Sequence, residues 1–172
     1  STQYIIEETK QIRWFKNTNT DKSPTWAQQE PLFTNDILDN GNKSNWACAD
    51  WDKDGDLDCI SATNADAYIS KDTADRIYLY ENIGTAKQAK LKLANTNFGN
   101  IFKDKINKIA PAIADMDNDG KLDLVLGNER GEILFYKNTS SSANTLSPSF
   151  ANSNGSYPGF TIDVGGFSAP AV

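Results

Sequence analysis

The sequence predicts an all-β fold, a section of a β-propeller, and three observations carry that prediction. An acidic loop occurs twice in register, a strand-like element occurs three times in a fixed order with it, and the helix signal is poor throughout. Ala49-Asp50-Trp51-Asp52-Lys53-Asp54-Gly55-Asp56-Leu57-Asp58 returns 65 residues later as Ala114-Asp115-Met116-Asp117-Asn118-Asp119-Gly120-Lys121-Leu122-Asp123. The segments Ile12–Asn17, Ile77–Asn82 and Ile133–Asn138 match one another. A third element follows, in which Ser23-Pro24-Thr25-Trp26-Ala27 pairs with Ser147-Pro148-Ser149-Phe150-Ala151. Several elements recurring in one order, in units of roughly 60 residues, are the mark of a repeat architecture, and short strands in such units point to propeller blades.

The register of these elements divides the chain. Residues 1–43 read as the end of a preceding blade, 44–106 as a blade with the first acidic loop, 107–165 as a blade with the second, and 166–172 as the start of a following blade. Ala169-Pro170-Ala171-Val172 matches Ala110-Pro111-Ala112-Ile113, which leads into Ala114-Asp115. The chain is therefore expected to be an internal segment of a longer array, and further blades or another chain are expected to close the propeller, because two repeats leave sheet edges uncovered. Within the blades, Arg76–Tyr80, Leu122–Leu126 and Glu132–Lys137 are short runs rich in aliphatic and aromatic residues, bounded by Gly and Asn, and predict strands. Ala86–Ala94 predicts a helical turn or short helix, and the Ser/Asn-rich stretch Thr139–Gly155 a surface loop.

Composition narrows the chemistry. A hydrophobic fraction of 38% with four Trp suits a globular chain of 172 residues. The net charge of −6 is local: nine of the 23 acidic residues lie in the two loops, and the remaining 14 are outnumbered by 17 Lys and Arg. No basic stripe suggests nucleic-acid binding, and no apolar run suggests membrane insertion. Without any His, imidazole catalysis and His metal sites are excluded. Cys48 and Cys59 bracket the first loop. They either form a disulfide in an oxidising compartment or pack as small apolar residues; the second reading is favoured because Ile113 and Leu124 stand at the matching positions. Asn42, Asn138 and Asn154 begin N-x-Ser/Thr sequons.

Four or five carboxylates within nine residues repel one another, and a compact turn built from them needs a counter-ion. With only oxygen donors in prospect the ion is hard, and calcium accepts six to eight oxygens in flexible geometry. Gly at the sixth position permits a sharp turn. Side chains at loop positions 1, 3, 5 and 9 and the carbonyl at position 7 are the expected ligands. Lys121 at position 7 is tolerable only if the backbone ligates there. Ser61 and Leu126 occupy position 12, where an EF-hand carries a bidentate acid, and the flanks read as strands rather than helices.

The Asp-x-Asp-x-Asp-Gly-x-x-Asp loop, preceded by a small-residue strand and followed by an apolar one, resembles the FG-GAP/VCBS repeat family. Ala47–Ile60 and Pro111–Leu126 carry the match; Gly165-Gly166-Phe167-Ser168-Ala169-Pro170 represents the elements that name the family only loosely. The resemblance implies four-stranded blades like those of integrin α-subunit propellers, with a structural calcium ion in the hairpin between the first two strands. It implies one site from Asp50, Asp52, Asp54 and Asp58 with the carbonyl of Asp56, and another from Asp115, Asp117, Asp119 and Asp123 with the carbonyl of Lys121. No catalytic constellation accompanies these ligands, so no enzymatic activity is expected. The resulting expectation is a secreted or cell-surface interaction and adhesion module for protein or glycan; Trp26 and Tyr157 either pack within a blade, the favoured reading, or contact the ligand. The alternative is an accessory propeller of a secreted carbohydrate-active hydrolase or lyase.

Overall fold

A computed structural model describes residues 15–28, 44–63, 75–152, 156–157 and 160–171. The first unit is a hairpin of β1 (Phe15–Asn17) and β2 (Trp26–Gln28). The strands β3 (Asn45–Ala49), β4 (Asp58–Ala62), β5 (Ile77–Asn82) and β6 (Leu91–Asn95) then form a four-stranded antiparallel sheet in chain order. A 3₁₀ segment, Phe98–Asp104, broken by left-handed Gly99 and Asn100, leads to the second sheet. There β7 (Ala110–Ala114), β8 (Asp123–Gly127), β9 (Glu132–Asn138) and β10 (Phe150–Asn152) repeat the antiparallel order. The short β11 (Ser156–Tyr157) pairs with β12 (Phe160–Asp163), and β12 pairs with the start of β9 at Glu132 and Ile133. The outer edge of β9 is thus shared: β12 takes its first two residues and β10 its last three. Among the described residues no helix is long and apolar enough to cross a membrane.

The sequence repeat is a repeat in register. Ala49 opposes Asp58 as Ala114 opposes Asp123, and Cys48 opposes Cys59 as Ile113 opposes Leu124. Both second strands, β4 and β8, are buried along their whole length, which is why they read as apolar runs rather than as alternating patterns. The main core draws on both sheets: Ile60, Ile77 and Leu79 join Leu124, Leu126 and Tyr136, with Phe98 and Ile101 of the 3₁₀ segment between them. Trp51, the second residue of the first acidic loop, is buried in this core. Its ring meets Phe98 edge-on at 5.0 Å and Phe150 of β10 at 6.2 Å, so the first loop is anchored to the second sheet by aromatic contact.

The Ile…Asn element encodes a strand end and its turn. Asn17 Oδ1 accepts the N–H groups of Asn19 and Thr25, Asn82 Oδ1 those of Gly84 and Lys90, and Asn138 Oδ1 that of Ser140. A side-chain oxygen satisfying backbone donors two residues on is the Asx turn, which stops the strand and starts the hairpin.

Three expectations are corrected, and one sequon proves to be buried. Ala86–Ala94 forms no helix: the turn is closed by Ile83 N–H to Lys90 O at 2.9 Å and by the Thr85–Gln88 pair, and Leu91 and Leu93 then alternate inward as part of β6. Thr139–Gly155 is not loop throughout, because Phe150–Asn152 adds β10 to β9. Cys48 and Cys59 form a disulfide with Cα atoms 4.0 Å apart, since they face each other directly across β3 and β4. The Asn138 sequon is inaccessible at 2% exposure, its side chain being spent on the turn and on Leu122 O. Asn42 and Asn154 lie outside the described residues, as does the Tyr157 side chain.

Candidate metal centre

The two acidic loops span the β3–β4 and β7–β8 hairpins and share one backbone course. Position 4 is left-handed in both, Lys53 at φ 59° and Asn118 at φ 60°, and so is position 6, Gly55 at φ 97° and Gly120 at φ 82°. Two left-handed residues within three curl the chain tightly enough to turn alternate side chains inward. Glycine adopts that region freely, whereas a residue such as Lys53 does so only at some cost.

The hydrogen bonds repeat position by position. Asp50 accepts the N–H groups of Asp54 and Gly55, both at 3.1 Å; Asp115 accepts those of Asp119 at 3.1 Å and Gly120 at 2.8 Å. The fifth residue accepts from the seventh: Asp54 Oδ1 from Asp56 N–H, and Asp119 Oδ1 from Lys121 N–H, each at 3.0 Å. The ninth residue is the buried floor of each loop. Asp58 takes N–H bonds from Trp51 at 3.3 Å and Asn82 at 2.8 Å, and Asp123 takes them from Met116 at 2.9 Å and Asn138 at 2.8 Å. These contacts hold the carboxylates in place by themselves.

Carboxylate oxygens converge as a result. Those of Asp50, Asp52 and Asp54 lie within 4.8 Å of one another, as do those of Asp115, Asp117 and Asp123. Asp58 is not part of the first cluster at that spacing, nor Asp119 of the second. Asp119 is drawn instead to Lys121 Nζ at 3.2 Å and Lys137 Nζ at 3.4 Å, and Lys137 also hydrogen-bonds Asp117. Of the two residues expected to ligate through their carbonyls, Asp56 buries its side chain at 8% exposure with Oδ1 lacking any hydrogen-bond partner, and Lys121 directs its ammonium to Asp119.

Electrostatics shows what the loops lack. Burial, reinforced by Asp52 and Asp56, pushes the Asp58 carboxyl up to about 6 despite its two backbone donors. Burial and then the charges of Asp54, Asp52 and Asp50 push Asp56 upward. Burial, with Asp117 and Asp119, raises Asp123 as well. Desolvation acts the same way on Asp119, but Lys121 and Lys137 outweigh it and hold that carboxyl below the ordinary range. Uncompensated negative charge in a set of oxygen donors, with a buried carboxylate oxygen left unpartnered in the first loop, fits a hard divalent cation of flexible coordination.

Sequence reasoning named ten candidate ligand residues in the two loops but missed four contributors. Asn82 and Asn138 tie the ninth residue to the third strand through their backbone N–H groups, and Asn138 Nδ2 donates to Leu122 O at 3.0 Å. The recurrent Asn was visible as a pattern, although its partner was not. Lys137 and Lys53, whose Nζ donates to Gly120 O at 2.8 Å, gave no local signal because they reach the second loop from another strand and from the other loop.

Residues 50–126 match the model of a family described as FG-GAP-like repeat. No curated protein and no solved structure matches the chain.

Proposed function

We propose that this chain, which carries an FG-GAP-like repeat over residues 50–126, is a calcium-stabilised β-propeller segment that serves as a non-catalytic binding module for protein or glycan outside the cell. The observation that supports it best is the duplication of one preorganised loop, with the same hydrogen bonds at the same positions and three carboxylates converging in each. Asp50, Asp52, Asp54 and Asp58 with the Asp56 carbonyl would hold one calcium ion. Asp115, Asp117, Asp119 and Asp123 with the Lys121 carbonyl would hold the other. Bound calcium supplies positive charge that cancels the carboxylate repulsion, and since no such site exists in the unfolded chain, its binding energy adds to folding.

The chain's own residues complete the picture. Backbone donors fix the position-1 and position-9 carboxylates, and the Cys48–Cys59 bridge clamps the strands on either side of the first loop. A disulfide suits an oxidising compartment, and loosely charged oxygen sites suit the millimolar calcium found there. Trp26, 62% exposed on the β1–β2 hairpin, is available to contact a protein or sugar ring.

Calorimetric titration of the full chain is expected to show two calcium sites, one lost in Asp52→Ala and the other in Asp117→Ala. Unchanged stoichiometry in both variants would refute the ligand assignment. Glycan and matrix-protein binding should vanish on chelation; binding that persists would separate the surface from the metal.

A further inference from the structure

The two loops share a backbone and differ in charge. At position 7 the first loop has Asp56 and the second Lys121. On the adjacent strand Cys59 pairs with Tyr80 as Leu124 pairs with Tyr136, so Glu81 and Lys137 occupy the same place beside the ninth residue. Lys53 leaves its own loop and donates to the Gly120 carbonyl of the other at 2.8 Å. Two ammonium groups, those of Lys121 and Lys137, therefore meet the Asp117 and Asp119 carboxylates of the second loop, and a third, that of Lys53, meets its backbone at Gly120. The first loop's five carboxylates, with Glu81 at the neighbouring position, have no ion-pair partner among the described residues.

Lys137 is the decisive group. Its ammonium hydrogen-bonds Asp117, a carboxylate in the converging second cluster, and stands 3.4 Å from Asp119 Oδ2. A cation there does for the second loop what a metal would do: it neutralises the oxygens at positions 3 and 5. No counterpart exists in the first loop, where the matching residue is acidic.

We infer that the two loops are unequal calcium sites, the first tight and the second weak, because Lys137 Nζ is a tethered cation that calcium must displace from Asp117 and Asp119. The inference rests on the calcium reading above and adds an order of filling. As calcium rises the first loop loads early and the β7–β8 hairpin later, so the second loop responds to calcium in a range where the first is already saturated. Lys137 is the affinity-setting residue, and Lys121 and Lys53 add to its field.

The test follows each loop separately in the intact chain. The amides of Gly55 and Gly120 bond to the first aspartate of their own loops, so their ¹⁵N–¹H resonances report each site during a calcium titration. Gly55 is expected to reach its midpoint at calcium at least about ten-fold lower than Gly120, given the opposed local charges. Lys137→Gln, which keeps the chain length but removes the charge, is expected to lower the Gly120 midpoint about ten-fold at low salt and less at high salt, while leaving Gly55 unchanged. Lys137→Arg, which keeps the charge, should not tighten the site. A lysine that merely braced the fold would give the opposite sign, with Lys137→Gln weakening calcium binding. Equal midpoints in the native chain, or a Gly120 midpoint that stays or rises in Lys137→Gln, would overturn the inference while leaving calcium binding intact. If neither glycine moves with calcium, the metal reading itself fails and takes the inference with it.

Discussion

Removing the Cys48–Cys59 bridge tests how far that link stabilises the first hairpin. The perturbation is the double variant Cys48→Ala/Cys59→Ala, which deletes the link without burying a new polar group. The bridge spans a sequence separation of 11 residues and encloses the whole first loop. For a closed loop of that size the chain-entropy account gives about 3 kcal/mol of stability, through restriction of the unfolded state. The sulfur of Cys59 also packs in a small cluster with Tyr80 and Leu91, and trimming it to Ala adds a cost of under about 1 kcal/mol. The expected total is therefore about 3–4 kcal/mol. Urea unfolding followed by tryptophan fluorescence suits the purpose, because Trp51 belongs to the same loop and is buried. The midpoint should fall, and the slope against urea should steepen because the unbridged chain exposes more surface when unfolded. A loss below about 1 kcal/mol with an unchanged slope would refute the reasoning, since the bridge would then restrain nothing in the unfolded chain.

Other residues give equally direct tests by urea or thermal unfolding. Gly127→Ala would place a methyl carbon 2.1 Å from Ser168 O, and Ser168 cannot easily retreat because its Oγ bonds Glu132 O at 2.6 Å and accepts Asn128 N–H at 2.9 Å. A loss of about 3 kcal/mol is expected; a neutral outcome would mean that the segment after β12 yields. Tyr136→Phe removes the hydroxyl that donates to Asp104 Oδ2 at 2.7 Å and should cost about 1–3 kcal/mol, whereas Leu93→Ala, half-buried at the sheet edge, should cost less than a core truncation. On the proposed calcium reading, chelation should lower the melting temperature of the native chain and do so less in Asp52→Ala, which lacks one proposed ligand.

Local chemistry was legible in the chain itself. Carboxylates at alternate positions followed by Gly mark a candidate cation loop within nine residues, and two copies at one period place the two four-stranded sheets, because both the loop and its flanking strands are short-range features. The Asn that ends Ile12–Asn17, Ile77–Asn82 and Ile133–Asn138 was also visible, since an Asx turn is made by residues two apart. Misreadings arose where a neighbour in space, not in sequence, made the decision. Lys and Ala in 86–94 favour a helix by local propensity, yet pairing with β5 and the inward burial of Leu91 made the end of that stretch a strand. The favoured apolar reading of Cys48 and Cys59 fails because the register sets them face to face, and the turn with Leu122 O consumes the Asn138 side chain, which no local pattern records. The sequence by itself determined that two loops gather carboxylates and that strands flank them. The sequence also shows Asp56 in one loop against Lys121 in the other, but only the tertiary structure decided that two further lysines deepen this inequality, because Lys53 and Lys137 reach the second loop from outside it and no spacing rule records which lysine meets which carboxylate.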